Sequence, residues 1–359
     1  MQQSDSSNEP RILGFVEDPG AANMFVGLPS RIPIEIVAVE QAARLLGARG
    51  VPTVGQPSRP LEEYDLVAVG TGENIDTPAF DFIARARAAG IPSVSIIDFL
   101  SNSEFRFRGR TDDPLHHAPD TILVPDEPTR QSFLKLGCPE EQVIVTGHPQ
   151  YDFVLNREAE FEDRETIRRR LFPEAEGSKV AIFLGEPAKG LNPSQFQRND
   201  AYSLDGHPDR SGRTLVVLDE IFEIPFVKNR EWYFVYRPHP RQTPEEITHG
   251  ESLFDRTILD GDPLELVYAA DVVLGMTTML LQEAAILGRP TLSIVPRQSE
   301  SAWLPNIVSG HTKCVWTQEG LAESLPKIFD LPAVRFPVER GGADRIADEI
   351  MKRVGRRCG

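Results

Sequence analysis

Cysteine is scarce in this chain: Cys138, Cys314 and Cys358 lie far apart and form no C-x-x-C pair. That spacing argues against a disulfide-stapled domain and a cysteine zinc site, and fits reduced thiols in the cytoplasm. Positive charge is short too. With a net charge of −16 and a pI near 5.0, the chain would be repelled by duplex nucleic acid, and the basic "KRVGRRCG" is too small a patch to reverse this. No apolar run is long enough to span a bilayer, since even "MLLQEAAILG" is interrupted by Gln and Glu. Any membrane contact would be peripheral. The polar opening "MQQSDSSNEP" lacks the basic-then-apolar order of a signal peptide, so a cytoplasmic protein is expected. The motifs G-x-G-x-x-G, G-x-S-x-G, H-E-x-x-H and G-x-x-x-x-G-K-[ST] are all missing, and no metal-ligand pattern replaces them.

What is present is a long alternation. Apolar, β-rich runs such as "RILGFV", "LVAVG", "SVSII" and "TILVP" are separated by helix-like stretches such as "TPAFDFIARARAAG". Strands apolar on both faces, alternating with helices, predict a parallel sheet covered on both sides. The series restarts at "KVAIFLG" and continues through "EWYFVYR", "TILDG", "DVVLG" and "TLSIV". The expected class is therefore α/β, with two doubly wound domains: a disordered tail over 1–10, a first domain over 11–155 and a second over 156–338. Residues 339–359 would form an amphipathic helix, with Ala343, Ile346, Ala347, Ile350 and Val354 on one face, able to cross back to the first domain. The Pro- and Gly-rich stretch 187–213 is too long for a plain connection. Capping boxes are expected at Thr243–Glu246 and Asp262–Glu265.

In open parallel sheets, ligands bind beyond the carboxyl ends of the strands. Three segments at such positions carry unusual residues. In "ADVVLGMTTMLLQEAAILGRP", Gly275, Met276, Thr277 and Thr278 form a strand-to-helix turn, a natural phosphate site, and Glu283 follows where a carboxylate could take ribose hydroxyls. The plainer alternative is a threonine cap followed by an exposed glutamate. "YRPHPR" puts Arg237 and His239 at a strand end, suited to a phosphate or a developing negative charge. "FVEDPGAANMF" offers Glu17 or Asp18 as a base, with Gly20 forcing the turn and Asn23 near the helix start; an acidic turn without further role is the alternative. Weaker candidates in the same position are Asp98, His148 and Glu186, with Asn102, Arg106 and Arg108 beside Asp98.

The pattern D-x-x-x-G-x-x-[ST]-x-x-x-x-E-A-x-x-x-G-x-P, met by Asp271, Gly275, Thr278, Glu283, Ala284, Gly288 and Pro290, resembles the GT-B superfamily, as does "VTGHPQYD" at the domain boundary. That superfamily holds nucleotide-sugar glycosyltransferases, hydrolysing UDP-N-acetylglucosamine 2-epimerases and CDP-glycerol glycerophosphotransferases. The resemblance implies two Rossmann-like domains facing across a cleft. It further implies a metal-independent glycosyltransferase of bacterial polysaccharide or glycoconjugate synthesis, with no cofactor beyond a CMP-, CDP- or UDP-linked sugar as co-substrate. Thr277, Thr278 and Glu283 would then hold the donor's phosphate and ribose. Arg237 and His239 match an R-x-H-P site that supports the nucleotide phosphate, and Glu17 or Asp18 would serve as base. The acceptor would be a glycan, a lipid-linked sugar or a small molecule. A hydrolysing epimerase, a CDP-glycerol-type phosphotransferase and a non-catalytic nucleotide- or glycan-binding module remain as alternatives.

Overall fold

The computed structural model describes residues 9–187 and 196–354. The tail expected to be disordered and the first part of the 187–213 stretch fall mostly outside them. The chain divides into two compact units, Met1–Asp152 with Glu339–Gly359, and Phe153–Val338.

The first unit is built on a six-stranded parallel sheet in the order β2-β1-β3-β4-β5-β6. Its strands are β1 (Ile12–Val16), β2 (Ile34–Ala38), β3 (Leu66–Gly70), β4 (Ser93–Ile96), β5 (Thr121–Val124) and β6 (Val143–Val145). The central strands are buried along their whole length, as their unbroken apolar sequences require. Because β1 has β2 on one side and β3 on the other, successive connections leave it in opposite directions. The crevice this opens lies at the carboxyl ends of β1 and β3.

The helix Gly342–Val354 completes this unit. Ile346, Ala347 and Ile350 enter the same core as Ile12, Leu66, Val94 and Leu123, each isoleucine contributing about 1.5–3 kcal/mol by burial. Its start is bolted down: the Asp152 carboxylate accepts the N–H groups of Gly341 and Gly342 at 3.0 Å, and Arg345 Nε donates to the Thr146 carbonyl at 2.7 Å. A side chain at Gly342 would lie 2.8 Å from the His148 carbonyl carbon, so only glycine permits this approach.

The second unit has the order β12-β11-β10-β7-β8-β9, again all parallel. Its strands are β7 (Val180–Leu184), β8 (Tyr233–Arg237), β9 (Arg256–Thr257), β10 (Val272–Gly275), β11 (Thr291–Ile294) and β12 (Lys313–Val315). Counted from its first strand, this is the 3-2-1-4-5-6 order, with its reversal between β7 and β10. Asp271, the first residue of the sequence pattern, is a structural anchor. Its carboxylate pairs with Arg164 and Arg168 at 2.9 Å and accepts the Val180 N–H at 2.8 Å, tying β10 and β7 to the helix Arg164–Leu171.

Two local expectations change. "TILDG" pairs over two residues only, because Arg237 takes the carbonyls of Ile258 and Asp260 at 3.0 and 2.9 Å and turns the chain outward. Asp262 caps its helix through the Leu264 N–H, but Glu265 pairs with Arg170 at 3.0 Å instead of closing a box. The box at Thr243–Glu246 forms. Among the described residues no helix is long and apolar enough to cross a membrane.

Candidate functional site

Each sheet gathers polar side chains where its strand order reverses. In the first unit the chain leaves β1 through Glu17 and Asp18. Asp18 caps the helix Pro19–Phe25, accepting the Gly20 N–H at 2.7 Å. Gly20 must be glycine here, since a Cβ would collide with Oδ2 of Asp98, which arrives from the end of β4. Asp98 pairs with the buried Arg106 at 2.9 Å, and Arg106 also reaches the carbonyls of Thr71 and Ser101 at 3.3 Å. Beyond β3, Asn74 donates to Glu17 at 2.7 Å, and Glu73 accepts from Asn102, whose backbone is left-handed at φ 65°. Burial raises the Glu73 carboxyl's affinity for its proton; Asp18 and Asp98 add to this, while Arg106 and Asn102 oppose it. Glu73, Asp18 and Asp98 thus gather near the Arg106 guanidinium, and burial biases Glu73 toward keeping its proton.

His148 supports this cluster from below. It is 3% exposed, its Nδ1 accepts the Gln150 N–H at 3.1 Å, and the proton therefore sits on Nε2. Burial lowers its pKa to about 4, against a hydrogen bond to the Asp98 backbone. It is a neutral prop that holds Asp98, not a group lining an open site. Asn23 sits further along the capped helix, half-buried, with its Oδ1 unpartnered among the described residues.

In the second unit Glu186 leaves β7 and meets the turn after β10. Its carboxylate accepts the Thr277 N–H, lies 3.3 Å from the Thr277 hydroxyl and pairs with Arg213. Arg213 opens the helix Arg213–Glu223. Its Nη2 donates to Thr277 Oγ1 at 2.9 Å and its Nε to Glu300 at 2.8 Å, and Arg297 lies 2.7 Å from the other Glu300 oxygen. Arg213 is 2% and Glu300 0% exposed. Burial disfavours the charge on Arg213, but Glu186 and Glu300 outweigh this and hold its proton more tightly than usual. Two arginines face two glutamates, so the buried group is close to neutral. Both guanidinium groups lie over Trp303, at 5.4 and 5.6 Å from its ring centre.

The other expected residues have these surroundings. The Thr277 N–H, one residue before the cap of the helix Met279–Ile286, is taken by Glu186, an anion the chain supplies itself. Thr278 caps the helix Met279–Ile286 through the Leu280 N–H. Met276 is fully buried, and its carbonyl accepts from Ser293 at 2.7 Å, so its side chain belongs to the core. Gly275 closes β10 with ordinary room around it. Glu283 is buried, 8% exposed, unlike the exposed residue of the plainer alternative. Arg237 is spent on the carbonyls beyond β9.

His239 is half-buried, and its Nδ1 accepts the Arg241 N–H at 3.0 Å, which places the ring proton on Nε2. Burial brings its pKa down to about 4, with Arg241 adding and Glu186 opposing. At neutral pH it is an uncharged donor, not a cation. No described residue hydrogen-bonds its Nε2.

The second unit also carries a cavity of about 910 Å³ beside the helix Arg213–Glu223, lined by Asp205, His207, Arg210, Asp219, Phe222 and His249 among others. Its buried acids are already satisfied: Asp219 holds Arg210 and the His207 N–H, and Glu220 takes the N–H groups of Asp205 and Gly206. It shares no residue with the strand-end clusters.

No family model and no curated protein matches the sequence. Solved structures do match the fold. The UDP-GlcNAc 2-epimerase of Neisseria meningitidis bound to UDP-GlcNAc superposes with a TM-score of 0.65 at 17% identity, over 95% of this chain and 100% of that one. The UDP-GlcNAc 2-epimerase of Methanocaldococcus jannaschii in complex with UDP-GlcNAc and UDP gives 0.63 at 15%, over 95% and 99%. Anabaena Alr3699/HepE in complex with UDP-glucose gives 0.57 at 12%, over 97% and 98%. The chain has the GT-B fold.

Within that fold, sequence reasoning missed Glu73, Arg213, Arg297 and Glu300. Glu73 follows β3 in "VAVGTGEN", so the strand-end rule that found Asp98 would have found it. Arg213 was hidden at the far end of the Pro- and Gly-rich stretch, and Glu300 lies in "RQSESAW", which carries no periodic signal.

Proposed function

We propose that the chain is an enzyme acting on a nucleotide sugar, most simply as a glycosyltransferase, with a UDP-linked sugar the first candidate among CMP-, CDP- and UDP-linked donors. The observation that carries this reading is the anion already held beyond the carboxyl ends of β7 and β10: Glu186 rests on the turn amide of Thr277 and on Arg213, donors an anionic ligand would also seek. The Nε2–H of His239 and the capped helix start at Thr278 add donors, and the charge of Glu186 acts on His239. Support also comes from the fold-level neighbours, whose structures hold UDP-GlcNAc, UDP or UDP-glucose.

In the reaction we infer, an acceptor hydroxyl gives its proton to a carboxylate. Its oxygen bonds to the anomeric carbon, and the nucleoside diphosphate leaves with the electron pair of the broken bond. Glu17 and Asp18 are the candidate bases, the first accepting a hydrogen bond from Asn74 and the second from the Gly20 N–H. Hydrogen-bond donors stabilise the charge that builds on the leaving group. The acceptor class stays as read from the sequence: a glycan, a lipid-linked sugar or a small molecule.

One observation favours a second reading, a hydrolysing 2-epimerase. Burial, helped by Asp18 and Asp98, raises the proton affinity of the Glu73 carboxyl, a bias suited to proton transfer at a sugar ring. Incubation with UDP-GlcNAc or UDP-glucose in D2O separates the readings. Hydrolytic epimerisation releases UDP without any acceptor, adds water at C1 and leaves deuterium at C2 of the free sugar, whereas transfer forms a glycoside only when an acceptor is added and leaves C2 undeuterated. Binding of both donors without turnover under either condition would contradict an enzyme.

A further inference from the structure

We propose that Gln242 is the positioning residue for His239, holding the imidazole so that its Nε2–H is presented to the nucleotide's phosphate. The proposal rests on the nucleotide-binding reading above for the identity of that phosphate, and on geometry for the rest.

Residues 238–242 form a turn closed from both sides. The Gln242 N–H donates to the His239 carbonyl at 2.9 Å, while the Gln242 Oε1 accepts the His239 N–H at 2.8 Å. Because an N–H can only donate, this bond fixes which end of the amide faces His239. The same Oε1 accepts from the hydroxyl of Tyr236 at 3.0 Å. Tyr236 is itself buried, and burial pushes its phenol well above the usual range, so it stays a donor.

Two glycines make this assembly fit. A Cβ on Gly250 would strike the ring of Tyr236, and one on Gly185, at the end of β7, would strike Oε1 of Gln242. The Gln242 amide is thus wedged against the carboxyl end of β7, one residue before Glu186. Inside the turn, the Arg241 N–H bonds Nδ1 of His239 and leaves the proton on Nε2. A glutamine that merely satisfied a buried tyrosine would have no reason to bind the His239 backbone as well.

The test uses the full chain with specifically labelled histidine. Nitrogen chemical shifts report the His239 tautomer, and calorimetry with UDP reports affinity. In Gln242→Met, the Nε2–H form should lose its dominance and UDP should bind roughly tenfold more weakly. Gln242→Glu, which keeps an acceptor for the His239 N–H, should restore the tautomer. Tyr236→Phe removes the other donor only, and should leave the His239 signals in place. Should Gln242→Met fail to fold, Gly185→Ala displaces the amide by contact alone and should shift the same signals. An unchanged tautomer in Gln242→Met and Gly185→Ala would overturn the proposal. The imidazole signals decide this even if wild-type protein fails to bind UDP, an outcome that would count against the nucleotide reading instead.

Discussion

The Glu186 carboxylate occupies the position a ligand phosphate would seek, so replacing it should tighten nucleotide binding. Glu186→Gln keeps the shape and one acceptor oxygen but removes one negative charge. The buried group of Arg213 and Arg297 against Glu186 and Glu300 then carries an excess positive charge. At an effective dielectric near 20 and a separation of about 6 Å, that charge is worth roughly 2–3 kcal/mol toward a monoanion. Solvent screening and the amide's poorer fit to Arg213 and Thr277 reduce it, leaving an expected gain of about 1–2 kcal/mol, or roughly five- to thirtyfold in Kd. The same substitution should lower folding stability by about 1–3 kcal/mol, because buried donors lose a charged acceptor. Calorimetry with UDP at fixed ionic strength, paired with urea denaturation, measures both. Unchanged or weaker UDP binding by folded Glu186→Gln would refute the reasoning, and would recast Glu186 as an acceptor for ligand hydroxyls.

Other expectations follow from the same packing. Arg213→Met leaves Glu186 and Glu300 buried without their shared cation and should cost about 3–5 kcal/mol in urea denaturation; a loss below about 1 kcal/mol would mean the group relaxes freely. His148 is neutral in the folded chain, with its pKa at about 4 instead of 6.5. The unfolded chain therefore takes up the proton first as pH falls. The stability this contributes is present above pH 6.5 and drains away toward about 4, by roughly 3 kcal/mol. Denaturation midpoints across that window should show the slope, and an imidazole signal for His148 that titrates near 6.5 would contradict it. Gly342→Ala forces a methyl group against the His148–Pro149 backbone and should destabilise the first unit by about 1–3 kcal/mol, with hydrogen exchange rising first in the helix Gly342–Val354.

Most of the architecture was legible because parallel strands buried on both faces leave apolar runs that need little interpretation. "RILGFV", "LVAVG" and "DVVLG" each became a strand. β9 fell short because its edge carbonyls are taken by the side chain of Arg237, and no strand pattern announces that. The site was legible only as a set of positions. The strand-end rule located Glu17, Asp18, Asp98, Glu186, Thr277 and His239, but it says nothing of where a side chain's hydrogen bonds go. So Glu186 was read as a ligand contact when it fills the anion site itself, and His148 as a cleft residue when it props Asp98. Arg213 and Glu300 are distant in sequence and meet only through tertiary packing, so local patterns had no means of pairing them.

The central claim is that the second unit binds a nucleotide at the β7/β10 reversal. Calorimetric titration of the whole chain with UDP, UDP-GlcNAc, CDP and CMP, beside a His239→Ala variant, tests it most directly. The account predicts micromolar binding of a uridine nucleotide, weakened roughly tenfold or more when the Nε2–H donor is removed. Failure of all four to bind wild-type protein, or equal affinity in wild type and His239→Ala, would contradict it.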